Sequence, residues 1–475
     1  MLESKEQNIS CQRRGNRMIK LAAVKQPVPE TGLKPVFLSE ETIAARKQAV
    51  LKRMKEEDFD ALVIYADLEH GGNWEYLTGF LPRFEEALLV LFNDGSAKLV
   101  LGNENLNKAG KSLIPVQAVH MPHFSLPNQP MKTEKDVCGI LSETGIQNCA
   151  NIGIAGWKNF TSKLDDNSQL FDIPCYLMDA LRKICPDTSF KNGTYLFIGG
   201  HGVRTVNNAN EFAHYEFGAA LAGNGMLEAM NALKPGISEM ELGALLNQCG
   251  QRNSVVTIAA AGERFEHANM YPSAKTVSIG DKISLTVGFK GGLQSRAGYA
   301  VSCADELPEG QKDYLERVAI PYQNAVKTWL EHIHVGMTGG ELYALIESVL
   351  PRETYGWSLN PGHLCADEEW LSSPVYPGST EVLRSGMLFQ IDIIPSVPGY
   401  GGASCESGIL LADETLKDEI RKQYPDLWAR IETRRDYMIH ALGIHANEAV
   451  LPTSIACAYF RPYLLDHERA LKGTD

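Results

Sequence analysis

The sequence predicts an α+β protein of two domains, and three observations support this fold class. The chain has 475 residues, and chains of this length usually divide into more than one domain, each with its own hydrophobic core. A region of short apolar strands alternating with helices ends near Pro186, and a region with longer helices follows it. The second region contains one module twice, 100 residues apart. We therefore predict a small α/β domain, followed by a larger domain of helices on a curved, mostly antiparallel sheet.

Four segments are predicted along the chain: a leader, an N-terminal domain, a large domain and a helical extension, over residues 1–33, 34–188, 200–416 and 417–475. The leader begins with a polar, basic stretch that we expect to be disordered. It lacks the apolar core of a signal peptide, and no run of about 20 apolar residues occurs elsewhere. These features predict a cytoplasmic protein without a membrane segment.

In the N-terminal domain, apolar runs and turn residues predict a helix over 38–57, a buried strand over 59–65, a further strand over 149–155 and a helix over 172–184. The runs 87–92 and 97–101 flank an Asn93-Asp94-Gly95 turn and predict a hairpin. In the large domain we predict helices near 210–232, 238–250, 310–333 and 338–350, and strands near 254–260, 282–289, 387–394 and 406–412.

The repeated module opens each time with a helix start signal. Ser238 and Thr338 each precede a glutamate by three residues, the spacing of a capping box. Each module continues into an apolar strand that begins with glycine, at Gly280 and at Gly386. Six residues after the glycine, the first copy has Thr286 and the second has Asp392. The second copy is therefore the one equipped with an acidic group for chemistry.

Charge and cysteine content exclude several classes of function. The net charge of −13 argues against nucleic-acid binding, which requires an excess of clustered Lys and Arg. The ten cysteines contain no Cys-x-x-Cys pair, which favours reduced thiols over a disulfide framework or a structural zinc site.

Four residues of the large domain are candidates for catalysis: His267, His363, Asp392 and Glu406. They combine imidazole with carboxylate, as acid–base sites and divalent metal sites do. A single histidine is more often a structural residue. Asp392 is harder to explain structurally, because it lies in an apolar run and an unpaired buried carboxylate costs several kcal/mol. Glu406 precedes the apolar run Ile409–Leu411 and raises the same question.

Five motifs occur in a fixed order along the chain: Asn73-Trp-Glu-Tyr-Leu-Thr-Gly-Phe80, Lys234-Pro-Gly-Ile-Ser-Glu239, Pro361-Gly-His363, Phe389-Gln-Ile-Asp-Ile-Ile-Pro395 and Cys405-Glu-Ser-Gly-Ile-Leu-Leu411. Their order resembles the creatinase, prolidase, aminopeptidase P and methionine aminopeptidase family, the M24-like peptidases. The resemblance extends from about Leu38 to Glu414. It implies a creatinase-like N-terminal domain and a C-terminal pita-bread domain with an internal pseudo-twofold duplication.

In family members with a two-metal site, the ligands are two aspartates from one β-hairpin, one histidine and two glutamates. The resemblance places His363, Asp392 and Glu406 at three of these positions. The first aspartate position falls on Thr286 and the second on Arg296 or Ala297, and no acidic residue occurs between Asp281 and Asp305. The sequence therefore predicts no dinuclear metal site.

The missing aspartates resemble the metal-independent creatinase branch, in which a histidine of the first half performs acid–base catalysis. The resemblance implies that His267 activates water or moves a proton. Asp392 and Glu406 would orient a cationic or amide nitrogen, with assistance from His363.

The resemblance also implies substrate-binding roles for Phe84, Arg296 and Glu368. Phe84 would act from the small domain of a neighbouring subunit in a homodimer. Alternatively, the charged loop around Phe84 is an ordinary solvated turn, and Glu368 and Glu369 are a solvated acidic pair.

Three functions remain open on the sequence. The first is a metal-independent hydrolase that cleaves a C–N bond in a small molecule. The second is an Xaa-Pro aminopeptidase or dipeptidase that holds one divalent metal at His363, Asp392 and Glu406, since three ligands are enough for a catalytic zinc. The third is a catalytically inactive member that binds a peptide or small ligand.

Overall fold

The computed structural model describes residues 18–267 and 271–474. The predicted disordered start of the leader lies outside the described residues. Strands of the described chain form a two-stranded, a six-stranded and a seven-stranded sheet. An α+β fold is therefore confirmed.

The N-terminal region surrounds the six-stranded sheet, whose strand order is β5-β4-β3-β2-β6-β7. The elements are β1 (Ile19–Ala23), α1 (Glu40–Glu56), β2 (Ala61–Ala66), α2 (Gly72–Thr78), β3 (Ala87–Phe92), β4 (Ala97–Leu101), β5 (Gln117–His120), α3 (Val137–Ser142), β6 (Asn151–Ala155), α4 (Cys175–Ile184) and β7 (Ser189–Asn192). The predicted hairpin is confirmed as the antiparallel pair β3 and β4.

Strand β2 is buried on both faces because helices cover both sides of the sheet. Leu62 and Ile64 belong to the same core cluster as Met54 of α1. Val63, which points to the opposite face, belongs to a second cluster with Ile140 of α3. This arrangement explains why β2 is a continuous apolar run rather than an alternating one.

The seven-stranded sheet is the core of the large domain. The elements that follow β7 are α5 (Ala209–Ala232), α6 (Glu239–Leu246), β8 (Ile258–Ala261), α7 (Glu263–Glu266), β9 (Lys282–Phe289), β10 (Gly292–Tyr299), α8 (Ile320–His332), α9 (Gly339–Val349), α10 (Arg352–Tyr355), β11 (His363–Leu364), β12 (Leu388–Ile391), β13 (Ser404–Leu411), α11 (Glu414–Gln423), α12 (Pro425–His440), β14 (Val450–Pro452) and β15 (Arg469–Gly473). The strand order is β11-β12-β13-β10-β9-β8, with β14 on β13, and every pair is antiparallel.

The duplicated modules form equivalent structures. Ser238 begins α6 and Thr338 begins α9, and both helices have the predicted capping box. Each cap residue also forms an antiparallel bridge, Ser238 with Thr276 and Thr338 with Val382. The equivalence confirms that the two modules are structural repeats.

One predicted helix begins later than expected. Residues Leu315–Ala319 form a π-helical turn, and α8 starts only at Ile320. Pro321 lies inside this continuous helical stretch and lacks the N–H of an i→i−4 hydrogen bond. The π-helical turn just before it accommodates the interruption.

The first and last strands of the described chain pack together. Strand β1 pairs with β15 in an antiparallel register, and the Glu30 carboxylate accepts from buried Arg434 at 2.9 Å. The second half of the predicted leader is therefore an ordered part of the structure. None of the helices within residues 18–267 and 271–474 has the length and apolar character of a membrane span.

Candidate active site

One row of side chains crosses four neighbouring strands of the large sheet. Ser295 of β10 lies opposite Thr286 of β9 on one side and Glu406 of β13 on the other. Ile391 of β12 lies opposite Ser407, so the next residue, Asp392, comes level with Glu406. The register therefore places Asp392, Glu406, Ser295 and Thr286 in sequence across the sheet. The row is acidic at one end and carries neutral hydroxyl groups at the other.

The acidic half consists of two buried carboxyl groups, Asp392 with 5 % exposure and Glu406 with 6 %. Burial raises the pKa of Asp392 to about 6, although a hydrogen bond with Glu406 opposes the rise. Burial and the neighbouring charge of Asp392 raise the pKa of Glu406 well above its usual range. Ser404 donates to Oε1 of Glu406 at 3.3 Å, while Oδ1 of Asp392 has no protein partner. The two carboxyl groups therefore share protons rather than both ionising.

His363 lies beside this pair and is completely buried. Its ring stacks on Trp370, with the centroids 4.2 Å apart. Nδ1 is 3.2 Å from the carbonyl oxygen of Leu364, which can only accept, so Nδ1 carries the proton. Burial lowers the pKa of His363 to about 4, so the ring is neutral at pH 7 and Nε2 presents a lone pair. Nε2 is 3.7 Å from Oδ2 of Asp392 and has no hydrogen-bond partner.

In the neutral half of the row, the hydroxyl groups of Thr286 and Ser295 form a hydrogen bond with each other. Oγ1 of Thr286 donates to Oγ of Ser295 at 3.0 Å, and both residues are buried. Ala297 is two residues beyond Ser295 and therefore lies on the same face. The sequence analysis did not identify Ser295, because only strand register aligns it with Thr286 and Glu406.

Arg296 points away from this row, since side chains alternate along a strand. Its guanidinium group is fully buried and uses all five N–H donors on protein acceptors. The acceptors are the carbonyl oxygens of Tyr459, Ser295, Glu406 and Ala456 and the side-chain oxygen of Gln294. This geometry gives Arg296 a structural role and leaves no donor for the predicted contact with substrate.

Glu368 is held by an ion pair with Arg204, which donates from both terminal nitrogens to the carboxylate. Arg204 also donates to Asn73 of the N-terminal domain at 3.0 Å. Asp367, beside Glu368, lies 3.3 Å from the Lys290 ammonium group and accepts from Tyr215 at 3.1 Å. Glu368 is thus paired with Arg204 rather than part of a free solvated acidic pair, although 19 % of its side chain is exposed and it lines the interdomain cleft. It links the segment after His363 to the N-terminal domain, a role that no sequence motif indicated.

His267 and Phe84 are both exposed, unlike the buried row described above. The His267 side chain is 66 % exposed and lies 3.7 Å from Glu263, on the preceding turn. Phe84 is 71 % exposed and lies under the Arg83 guanidinium group. Neither side chain makes a hydrogen bond or ion pair with His363, Asp392 or Glu406 in the described part of the chain. The structure therefore brings together three of the four predicted catalytic residues.

The chain around His267 is tethered at both ends by buried Glu239. Its carboxylate accepts from the backbone N–H of Ala261 at 2.8 Å and from Arg264 at 2.7 Å. The same carboxylate accepts from the Ser273 backbone N–H at 3.0 Å and from the Ser273 hydroxyl. One carboxylate in the first turn of α6 therefore holds the chain both before His267 and after Tyr271.

A cleft of about 470 Å³ lies between the N-terminal and large domains. Its walls include His70 and Trp157 on one side and Tyr271, Glu369 and Trp370 on the other. Because Trp370 stacks on His363, the cleft reaches the wall of the buried row. Burial and the nearby charge of Asp392 raise the pKa of Glu369 to about 7.

Comparisons with known proteins support a single family. The sequence model described as metallopeptidase family M24 matches residues 213–413. The large domain is therefore similar in sequence to metallopeptidase family M24. No curated protein matches the chain significantly.

Three solved structures share the fold of most of this chain. A prolidase from Thermococcus sibiricus has a TM-score of 0.62 and 16 % identity, covering 80 % of this chain and 96 % of its own. An Xaa-Pro dipeptidase from Bacillus anthracis has a TM-score of 0.59 and 17 % identity, covering 78 % and 96 %. An X-Pro aminopeptidase from Thermotoga maritima has a TM-score of 0.58 and 17 % identity, covering 78 % and 95 %.

The large domain of this chain does not fit the two-metal site that the family resemblance implies. The aspartate positions on the β9–β10 hairpin are Thr286 and, on the same face, Ala297, and neither supplies a carboxylate. A bridged pair of dications needs carboxylates to offset its charge. Within residues 18–267 and 271–474, no group of three or more His, Cys, Asp or Glu side chains is arranged to hold a metal ion.

Proposed function

We propose that this protein is a hydrolase that cleaves a C–N bond in a small molecule without a bound metal ion. The main support is the pairing of Asp392 and Glu406. Asp392 ionises near pH 6, whereas Glu406 keeps its proton above that pH. The two carboxyl groups can therefore have different roles in one reaction. Two titratable groups with separated pKa values can act as base and acid in one reaction.

In the proposed reaction, ionised Asp392 accepts a proton from water as the water oxygen attacks the electrophilic carbon. Protonated Glu406 donates its proton to the departing nitrogen as the C–N bond breaks. Asp392 is then protonated and Glu406 ionised. Because the two carboxyl groups are hydrogen-bonded to each other, direct transfer of one proton from Asp392 to Glu406 restores the starting state.

His363 and Ser295 support the same reaction without changing their own charge. The unpaired Nε2 of His363 accepts a hydrogen bond from the attacking water or from a substrate N–H. Ser295 accepts from Thr286, so its own hydroxyl proton is available for the oxygen that becomes negative in the transition state. His267 lies outside this set, and we assign the acid–base chemistry to the carboxyl pair instead.

A second candidate function is an Xaa-Pro peptidase with one metal at His363, Asp392 and Glu406, although these three side chains are not arranged around a common metal position in the described structure. One observation favours it. Nε2 of His363 and Oδ1 of Asp392 are buried without partners, and imidazole nitrogen and carboxylate oxygen both bind divalent metals. The comparison structures named as prolidase and Xaa-Pro dipeptidase make proline dipeptides the substrates to test.

The deciding experiment measures metal content and turnover on the same sample. Protein purified without chelator is examined by elemental mass spectrometry. It is then treated with chelator and assayed for amine release from small amides, guanidino compounds and Xaa-Pro dipeptides. Turnover with less than about a tenth of an equivalent of metal, lost in Asp392→Asn and Glu406→Gln, supports the proposal.

Two results would overturn the proposal. Turnover that requires one equivalent of metal, with metal content lost in His363→Ala, would establish the peptidase instead. Binding of a ligand without turnover, with or without added metal, would identify an inactive member of the family.

A further inference from the structure

The segment after His363 forms a short hairpin whose tip faces the N-terminal domain. The backbone N–H of Leu364 donates to Ser372, and that of Leu371 donates to Leu364, which closes the hairpin. The three consecutive acidic residues 367–369 occupy its tip. Their side chains have different surroundings, so the three carboxylates have different roles.

The first two carboxylates are neutralised by the protein. Asp367 lies against Lys290 and Arg204 with 6 % of its side chain exposed, and despite its burial these charges hold its pKa well below the usual range. The Glu368 carboxylate accepts hydrogen bonds from both terminal nitrogens of Arg204. Because Arg204 also binds Asn73, these contacts fix the tip of the hairpin against the N-terminal domain.

Glu369 is the exception at this tip. Its carboxylate has no hydrogen bond or ion pair with another side chain within the described residues, although it is largely buried. It lines the interdomain cleft and lies near the charges of Asp392 and Glu406. A second observation marks the same place as a binding site, since Oδ1 of Asp392 and Nε2 of His363 are buried there without partners.

We propose that Glu369 is a substrate-binding residue that pairs with a protonated amine, and that Trp370 and the cleft hold the flat or apolar body of the same organic cation. A buried carboxylate without a countercharge gains most from a ligand that supplies one. The aromatic walls at Trp157, Tyr271 and Trp370 suit an organic cation better than a hydrated metal ion. This inference rests on the proposed function, because it names the class of substrate that the acid–base pair would cleave.

The charge of the cleft walls favours a cation over an anion. The Lys290 ammonium group is already paired with Glu75 and Asp367. Arg252 also lines the cleft, where its guanidinium group donates to the carbonyl oxygen of Leu68. Deeper in the site, Glu369, Asp392 and Glu406 form an acidic end without a basic side chain paired to it in the described chain.

The test uses two probes of the same shape and different charge, benzylamine and benzyl alcohol, titrated by calorimetry into the full chain. The variants are Glu369→Gln, which removes the charge at constant size, and Trp370→Phe, which keeps an aromatic ring. Glu69→Gln is the matched control, because Glu69 also lines the cleft but is exposed. Thermal unfolding of each variant establishes that it is folded.

We expect the wild type and Glu69→Gln to bind benzylamine with equal affinity. Glu369→Gln should bind benzylamine about tenfold more weakly than the wild type does. Benzyl alcohol should bind the wild type and Glu369→Gln with equal affinity. Equal benzylamine affinity in Glu369→Gln, or no preference of the wild type for benzylamine over benzyl alcohol, overturns the inference. These affinities do not depend on turnover. Failure of C–N hydrolysis with charge-selective binding intact would therefore remove the proposed function and leave this binding site in place.

Discussion

Nε2 of His363 lies 3.7 Å from Oδ2 of Asp392, beyond hydrogen-bond distance, although both side chains are buried. Nε2 and the other carboxylate oxygen, Oδ1, have no protein partner. Buried polar atoms are rarely left unpaired, because each costs about 1–3 kcal/mol. The gap between these side chains is therefore a place for an atom that the protein does not supply, such as a water or a substrate nitrogen.

Replacing His363 with phenylalanine tests this interpretation. The variant keeps a flat ring against Trp370 but removes the Nε2 acceptor. We expect kcat/KM to fall by about 10²–10⁴ while the free energy of unfolding changes little, since the substitution also removes an unpaired buried nitrogen. Steady-state kinetics and urea denaturation give the two quantities.

His123→Phe is the matched control for this variant. His123 also has a buried ring nitrogen without a partner, but it lies in the N-terminal domain. Its replacement should leave kcat/KM unchanged. Activity of His363→Phe within about threefold of wild type would mean that Nε2 takes no part in the reaction.

The pKa of Glu369 predicts how stability depends on pH. Its pKa is raised from 4.5 to about 7 on folding, so between these values the folded state binds the proton and the unfolded state does not. This contribution to stability is present below about pH 4.5 and is lost as the pH rises through 7. For the full shift in pKa it amounts to about 3–4 kcal/mol.

Glu369→Gln should remove this loss. From pH 5 to pH 8, the free energy of unfolding of Glu369→Gln should therefore increase relative to that of the wild type. His363 has the opposite effect on the pH dependence of stability. Its pKa is lowered from 6.5 to about 4 on folding, so its contribution to the free energy of unfolding increases as the pH rises from 4 to 6.5. Since His363 is present in both proteins, a pH-independent difference would contradict the assignment to Glu369.

Strand and cap signals that lie within one segment were predictable from the sequence. The capping boxes at Ser238 and Thr338 and the hairpin of β3 and β4 are encoded by residues a few positions apart. The association of His363, Asp392 and Glu406 was also expected, but only through the family resemblance. Local pattern contains no information on which distant strands become neighbours.

The roles of individual side chains could not be predicted, because they depend on which distant strands and side chains become neighbours. Arg296 and Ser295 are adjacent in sequence, yet strand alternation buries one among carbonyl oxygens and aligns the other with Glu406. Glu368 and Glu369 are likewise adjacent, and only the position of Arg204 distinguishes them. Neither distinction can be read from residue type.

Thr286→Asp places a third carboxyl group in the row that contains Glu406. Thr286 is buried, so without a countercharge the new carboxylate should lower the free energy of unfolding by about 2–4 kcal/mol at pH 8, and by less at pH 5, where it is protonated. Urea denaturation with chelator present measures the effect. Thr286→Val is the control, because it removes the hydroxyl group without adding charge.

Adding divalent metal to the wild type, after removal of chelator, separates the two proposed functions further. If the site binds no metal, zinc or manganese should leave the stability of the wild type unchanged. A wild type that added zinc or manganese stabilises would show that the site binds a cation, which would favour the single-metal peptidase.

Arg296 provides the clearest prediction for stability. Its five donors bind four backbone carbonyl oxygens and one amide oxygen, all buried. Arg296→Met would leave these acceptors unpaired in the sheet that supports the active site. We expect a loss of about 3–5 kcal/mol, in the range found when one partner of a buried charged network is removed.

Arg296→Lys should recover only part of this loss, because an ammonium group has three donors and cannot reproduce the planar fork. Urea denaturation of both variants is compared with Arg182→Met, an exposed arginine of α4 whose replacement should change stability by less than about 0.5 kcal/mol. A substrate-binding role would produce the opposite pattern. In that case Arg296→Met would keep wild-type stability and raise KM, since the guanidinium group would be needed only when ligand is bound.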